Sequence, residues 1–203
     1  MTKSTRERIK AKRRIGRARS IFIGVLIAVP AIAGVAWLAN QASGRRSGEF
    51  VEIPQVQVVE VMSSAAHVAD DTDPGPYNSD PPTSGRMYVS PAVAGFNDVG
   101  DVESFGEYPA GSLVHSLEHG HVIFWYNCDV LSQSECEAMK DGIKQVIRAA
   151  GTFKVIAFPW PSIEEPLVMT SWGRMLRFDE FDAEIAEQFV RNFRLQAPEP
   201  NAP

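Results

Sequence analysis

Between Leu113 and His121 the chain reads LVHSLEHGH, which holds three of its four histidines and an acid, Glu118. Imidazole is the commonest metal ligand and the side chain that titrates nearest neutrality, so the cluster invites metal or acid–base chemistry. His115 and His119 lie four residues apart. They share a face in a helical turn and also in an extended strand, so the pair can meet one ion in either conformation. The string also fits H-x-x-E-H, the inverzincin pattern, with His115 and His119 as zinc ligands and Glu118 as general base. A zinc hydrolase of that kind needs a rigid helix and a third ligand from elsewhere, for which Glu184 or Glu187 would serve. Gly111 upstream and Gly120 before an apolar run leave room for about two helical turns, which argues against it. His121 opens that run and reads as a bystander. The plainer alternative is that these rings are satisfied interior histidines in front of a core strand. Ser116 lacks the separated geometry that a nucleophile–histidine pair needs.

The elements that must position these residues are legible around them. His121–Tyr126 (HVIFWY) puts Val122, Phe124 and Tyr126 on one face and Ile123 and Trp125 on the other. A strand apolar on both faces is a covered, central one. Ser132 to Gly151 reads as a helix: Ser132 with Glu135 forms a capping box, apolar residues repeat with the helical period, and Gly151 suits the position after the C-cap. Phe153–Pro159 and Leu167–Phe178 read as two strands joined by the Pro-rich WPSIEEP. Asp179 is expected to cap a last helix carrying Phe181, Ile185, Phe189 and Phe193. Gln55–Met62 suits a further strand, whereas Asp70–Gly85 and Pro91–Gly111 read as irregular. The sum is one compact α+β domain over 55–195, with a mixed or antiparallel sheet and two main helices. QAPEPNAP, residues 196–203, reads as a disordered tail.

Charge separates this body from what precedes it. Residues 1–19 carry nine Lys/Arg and one acid, a net of +8, while the whole chain is at −5, leaving −13 on residues 20–203. An acidic body excludes nucleic acid as its main partner, because counterion release needs a basic surface. Ile21–Ala39 is free of charge for nineteen residues, enough at about 1.5 Å per residue to cross a bilayer core of about 30 Å. Residues 20–39 therefore read as a transmembrane helix, in contact with the lipid bilayer. The positive-inside rule puts residues 1–19 in the cytoplasm and the domain, behind a linker at 40–54, outside. A cleaved signal peptide with a small-x-small site at Ala31-Ile32-Ala33 is the rival reading, and it too exports the body. In an oxidising compartment Cys128 and Cys136 are expected to form a structural disulfide rather than remain two buried thiols.

Two segments carry a resemblance. Tyr77-Asn78-Ser79-Asp80-Pro81-Pro82-Thr83-Ser84-Gly85, followed some thirty residues later by Val114-His115-Ser116-Leu117-Glu118-His119-Gly120, resembles the bacterial family known as domain of unknown function 3105. The likeness covers about residues 60–195 and implies a single-pass membrane protein with an extracytoplasmic domain of this size. The family pattern implies a histidine ahead of the Pro-Pro motif, matched by His67. It also implies Ser-Gly-Pro-His where this chain has Ser84-Gly85-Arg86-Met87, so one candidate ligand is here methionine. The ligand set implied is His67, Met87, His115 and His119. A thioether among imidazoles favours copper, above all Cu(I), with zinc as the alternative. Met87 as simple core filler is the competing reading. Two classes of function follow: a membrane-anchored metal-binding module, or a non-catalytic interaction protein of the envelope whose partner the residues do not name.

Overall fold

The computed structural model describes residues 50–203. The basic segment 1–19, the transmembrane reading of 20–39 and linker residues 40–49 lie outside the described residues. Among those described, no helix is long and apolar enough to cross a membrane. In chain order the elements are β1 (Gln57–Val58), β2 (His67–Val68), β3 (Met87–Tyr88), β4 (Gly95–Phe96), a 3-10 helix (Val99–Phe105), α1 (Ala110–Glu118), β5 (Val122–Tyr126), α2 (Gln133–Ala149), β6 (Val155–Pro159), β7 (Leu167–Ser171), β8 (Arg174–Phe178) and α3 (Ala183–Phe193). Six strands form a mixed sheet in the order β1-β8-β7-β5-β6-β4, and β2 pairs with β3 in a separate parallel ribbon.

The both-sided apolar pattern of β5 has the consequence expected of it. β5 lies parallel to β6 and antiparallel to β7, in the middle of the sheet. Val122, Phe124 and Tyr126 enter the core beneath α2 and α3 with Ile143, Val146 and Phe189. Ile123 and Trp125 enter the opposite core with Leu113 and Leu117 of α1. Each of these large side chains, when fully buried, contributes about 1.5–3 kcal/mol. The Trp125 indole N–H donates to Thr170 Oγ1 at 2.7 Å, so burial leaves no donor unpaired there.

α2 begins and ends as its caps dictate. Ser132 accepts from the Glu135 N–H, and the Glu135 carboxylate accepts from the Ser132 N–H. At its other end Gly151 takes φ +71°, and Gly151 and Thr152 donate back to Arg148 and Ile147. Cys128 and Cys136 form a disulfide that ties the exit of β5 to the first turn of α2.

Several expectations are corrected. Leu167–Phe178 is a hairpin rather than one strand, because Gly173 at φ +67° turns the chain between β7 and β8. The cap of α3 is Asp182, whose carboxylate accepts from the Glu184 and Ile185 N–H groups, not Asp179. The segment before Gly111 is less irregular than it reads, since β4 joins the sheet edge beside β6. There are three α-helices among the described residues rather than two, the third being α1 itself. The domain also starts earlier than residue 55. Asn192 brackets the Val51 backbone with two hydrogen bonds, and Phe50 packs edge-on against Phe193.

The tail is the largest departure. Residues 196–203 fold back over the end of α1 instead of hanging free. Glu199 N–H donates to the Glu118 carbonyl at 3.0 Å. The buried Lys154 ammonium donates to the carbonyls of Pro200 and Ala202 as well as to that of His119. A buried ammonium needs its protons satisfied, and this segment supplies two of the three acceptors.

Candidate functional site

α1 is a nine-residue helix whose residues are almost all buried, held between the sheet and the β2–β3 ribbon. Gly111 permits this closeness: a Cβ there would lie 2.5 Å from the Tyr88 ring of β3. The helix ends at Gly120, at φ +84°, where Gly120 and His121 donate back to Leu117 and Ser116. This left-handed glycine closes the last turn, so the segment is helical where the sequence left the choice open. His115 and His119 consequently stand one turn apart on one face. Their Nε2 atoms are 2.9 Å apart.

His67 is brought in by strand pairing. β2 and β3 are parallel with His67 opposite Met87, and β3 packs on α1. The His67 ring meets the His115 ring edge-on with centroids 4.8 Å apart. His67 Nε2 lies 4.0 Å from Glu118 Oε2. His67, His115 and Glu118 each offer a ligand atom, and the three atoms all lie within 4.8 Å of one another. Met87 is fully buried and is His67's neighbour across the ribbon.

His119 Nδ1 faces the Pro203 backbone oxygen at 2.9 Å, an acceptor, so this nitrogen donates to it. The tautomer of His115 decides the contact between the rings: protonated at Nε2 it donates to His119 Nε2, and protonated at Nδ1 it leaves the two Nε2 lone pairs facing each other across 2.9 Å. Among the described residues His115 Nδ1 is buried without a hydrogen-bond partner. Glu118 Oε2 is likewise buried with no hydrogen bond among the described residues. Burial holds the His115 imidazole below its ordinary pKa, helped by the neighbouring His119 and His67, while the Tyr88 backbone pulls weakly the other way. Burial pushes Glu118 up, with Glu199 adding to the effect and His67 and His119 opposing it. A His119 imidazole that donates Nδ1–H to a backbone oxygen and turns Nε2 toward the cluster is the orientation that metal-ligating histidines adopt.

Other residues singled out by the sequence take structural parts. His121 Nδ1 donates to the Ser116 carbonyl at 2.9 Å and serves the end of the helix. Ser116 Oγ binds the Ala92 backbone and the Ser112 carbonyl, which leaves no arrangement for a nucleophile. Asp80 in the Pro-Pro segment accepts from the Trp160 indole and, through its carbonyl, from Arg177. Glu187 pairs with Arg191 along α3. The cluster among the described residues gathers His67 with His115 and Glu118, and includes neither Glu184 nor Glu187. Glu118 sits in this group, its Oε2 4.0 Å from His67 Nε2. Sequence reasoning missed Glu199, whose Oε2 lies 3.8 Å from His119 Nε2, and Lys154. An isolated lysine two residues past Thr152 and a glutamate in a Pro-rich tail carry no pattern that points to a site.

One pH effect arises here. Burial holds His121 down to about 4, against about 6.5 in an unfolded chain. Its contribution to stability is therefore fully present above about pH 6.5 and is lost as pH falls toward about 4. Denaturant titrations of metal-free protein near pH 7 and near pH 4.5 are expected to differ by about 2 kcal/mol from this group. In His121→Asn, whose amide can still donate to Ser116, the acid loss should shrink by that amount. An unchanged acid loss would remove His121 from the account.

Fold and site together define an α+β domain with a buried imidazole–carboxylate cluster on a short helix. The family described as protein of unknown function (DUF3105) matches residues 67–203, and the chain belongs to it. No curated protein and no solved structure matches the chain.

Proposed function

We propose that this chain is a membrane-anchored extracytoplasmic protein that binds one transition-metal ion, copper in preference to zinc. Its ligands are His67, His115, Glu118 and His119, with Met87 alongside. The observation that carries the reading is the pair of buried polar atoms without a hydrogen-bond partner among the described residues, His115 Nδ1 and Glu118 Oε2. A buried polar atom left unpaired costs about 1–3 kcal/mol, and a cation held by His115 and Glu118 would relieve that cost. Imidazole and carboxylate donors hold Cu(II) more tightly than Zn(II), and a thioether adds affinity for Cu(I). The anchor rests on the uncharged stretch Ile21–Ala39 with its basic flank, and the Cys128–Cys136 disulfide suits an oxidising compartment.

The test is metal content of the full chain, purified in detergent from cells grown with added copper. A near-stoichiometric copper signal is expected in the parent, lost in His115→Ala, His119→Ala. Met87→Leu should keep the fold, costing under about 1.5 kcal/mol, and should weaken Cu(I) binding specifically. Parent protein free of metal would overturn the proposal and leave an envelope interaction protein with packed histidines.

A further inference from the structure

We propose that the C-terminal segment 195–203 completes this metal site, with Glu199 as an additional ligand and Lys154 as the positioning residue that holds the segment there. The inference rests on the metal reading above. Three observations converge. Glu199 Oε2 stands 3.8 Å from His119 Nε2, too far for a hydrogen bond but within the separation of two ligands that share an ion at about 2.0–2.2 Å each. The backbone around Glu199 is fastened on both sides of the cluster. Leu195 N–H donates to the Gly120 carbonyl at 2.9 Å, and Glu199 N–H donates to the Glu118 carbonyl at 3.0 Å. The Pro203 backbone oxygen takes the Nδ1–H of His119. Finally, Lys154 is a buried cation with no carboxylate partner in hydrogen-bond contact among the described residues. Its ammonium instead joins the carbonyl of His119 to those of Pro200 and Ala202, at 2.7, 3.0 and 2.6 Å.

Lys154 thereby links a ligand-bearing helix end to the segment that carries Glu199. The electrostatic consequence is specific. Two carboxylates, Glu118 and Glu199, balance the double charge of a divalent ion, so the ion need not be buried as a net charge. Glu199 is the more exposed of the two, with its side chain 58% accessible, so it can close on the ion from the solvent side.

The experiment titrates Cu(II) into the full chain by calorimetry and follows hydrogen exchange of residues 196–203 with and without the ion. In the parent, Cu(II) is expected to slow exchange across this segment. Glu199→Gln, a substitution on an exposed side chain, should leave the fold intact and weaken Cu(II) binding by about 10–100-fold. Lys154→Met should weaken it as well, and the double variant should bind no worse than the weaker single one, because both act through Glu199. Independent, additive losses would assign Lys154 a purely structural role and overturn the positioning claim. If Lys154→Met fails to fold, Glu199→Gln decides alone. Parent-like affinity in Glu199→Gln, with binding lost in His115→Ala, would refute the inference and leave the metal site standing. A parent that binds no Cu(II) would overturn both.

Discussion

Glu118→Met is expected to make the metal-free protein more stable, by about 1 kcal/mol, while lowering metal affinity by about 100-fold or more. Glu118 is buried, its Oε2 has no donor among the described residues, and burial pushes its pKa upward. A carboxylate in that position is a cost to the folded state, and an apolar side chain of similar length removes the cost. The backbone carbonyl that receives Glu199 N–H is unaffected by the change. A residue kept for packing would behave in the opposite sense, losing stability on substitution. Thermal denaturation of metal-free parent and variant, together with Cu(II) titration, separates the two. A lower melting temperature for the metal-free variant would make Glu118 structural.

Gly120→Ala is expected to destabilise the domain by about 2–4 kcal/mol. Two costs coincide at this residue. Its φ of +84° lies in the left-handed region, where an L side chain costs about 1–2 kcal/mol. An added Cβ would also lie 2.8 Å from Leu195 Cα and 3.1 Å from Leu195 N, which are backbone atoms that cannot swing aside. Relief would have to come from lifting the C-terminal segment, and with it the Leu195-to-Gly120 hydrogen bond. Gly151→Ala is the control. Gly151 has φ +71° but nothing within 4 Å of its would-be Cβ, so it should incur the conformational cost alone, about 1 kcal/mol. Urea unfolding of both variants measures the difference. Equal losses would mean that the segment yields freely, contrary to its fastened backbone.

Much of the scaffold was written locally. The central place of β5 follows from five consecutive apolar residues, since only a strand covered on both faces buries them all. The limits of α2 follow from Ser132, Glu135 and Gly151, because capping groups act within one turn of the helix they end. The pairing of His115 with His119 was equally readable, as a spacing of four keeps one face in a helix. Where two local rules competed, the reading slipped. Leu167–Phe178 carries strand-forming residues on both sides of Gly173 and so hides its turn there, and Asp179 stands three residues before the true cap, Asp182.

What the tertiary structure alone decided lies between residues far apart in the chain. His67 reaches the cluster only because β2 pairs in parallel with β3 at the His67–Met87 register and that ribbon lies on α1. The residues suggested this histidine only by way of a family likeness. Glu118, read from the motif as a possible general base, stands as a buried carboxylate grouped with His115 because His67 arrives beside it. The placement of 196–203 was the least legible of all. Its attachments to Lys154, Glu118 and His119 run through backbone carbonyls and N–H groups up to 84 residues away. Every residue except proline offers both groups, whatever its side chain, so a polar, proline-rich tail reads the same whether it hangs in solvent or is fastened across a site.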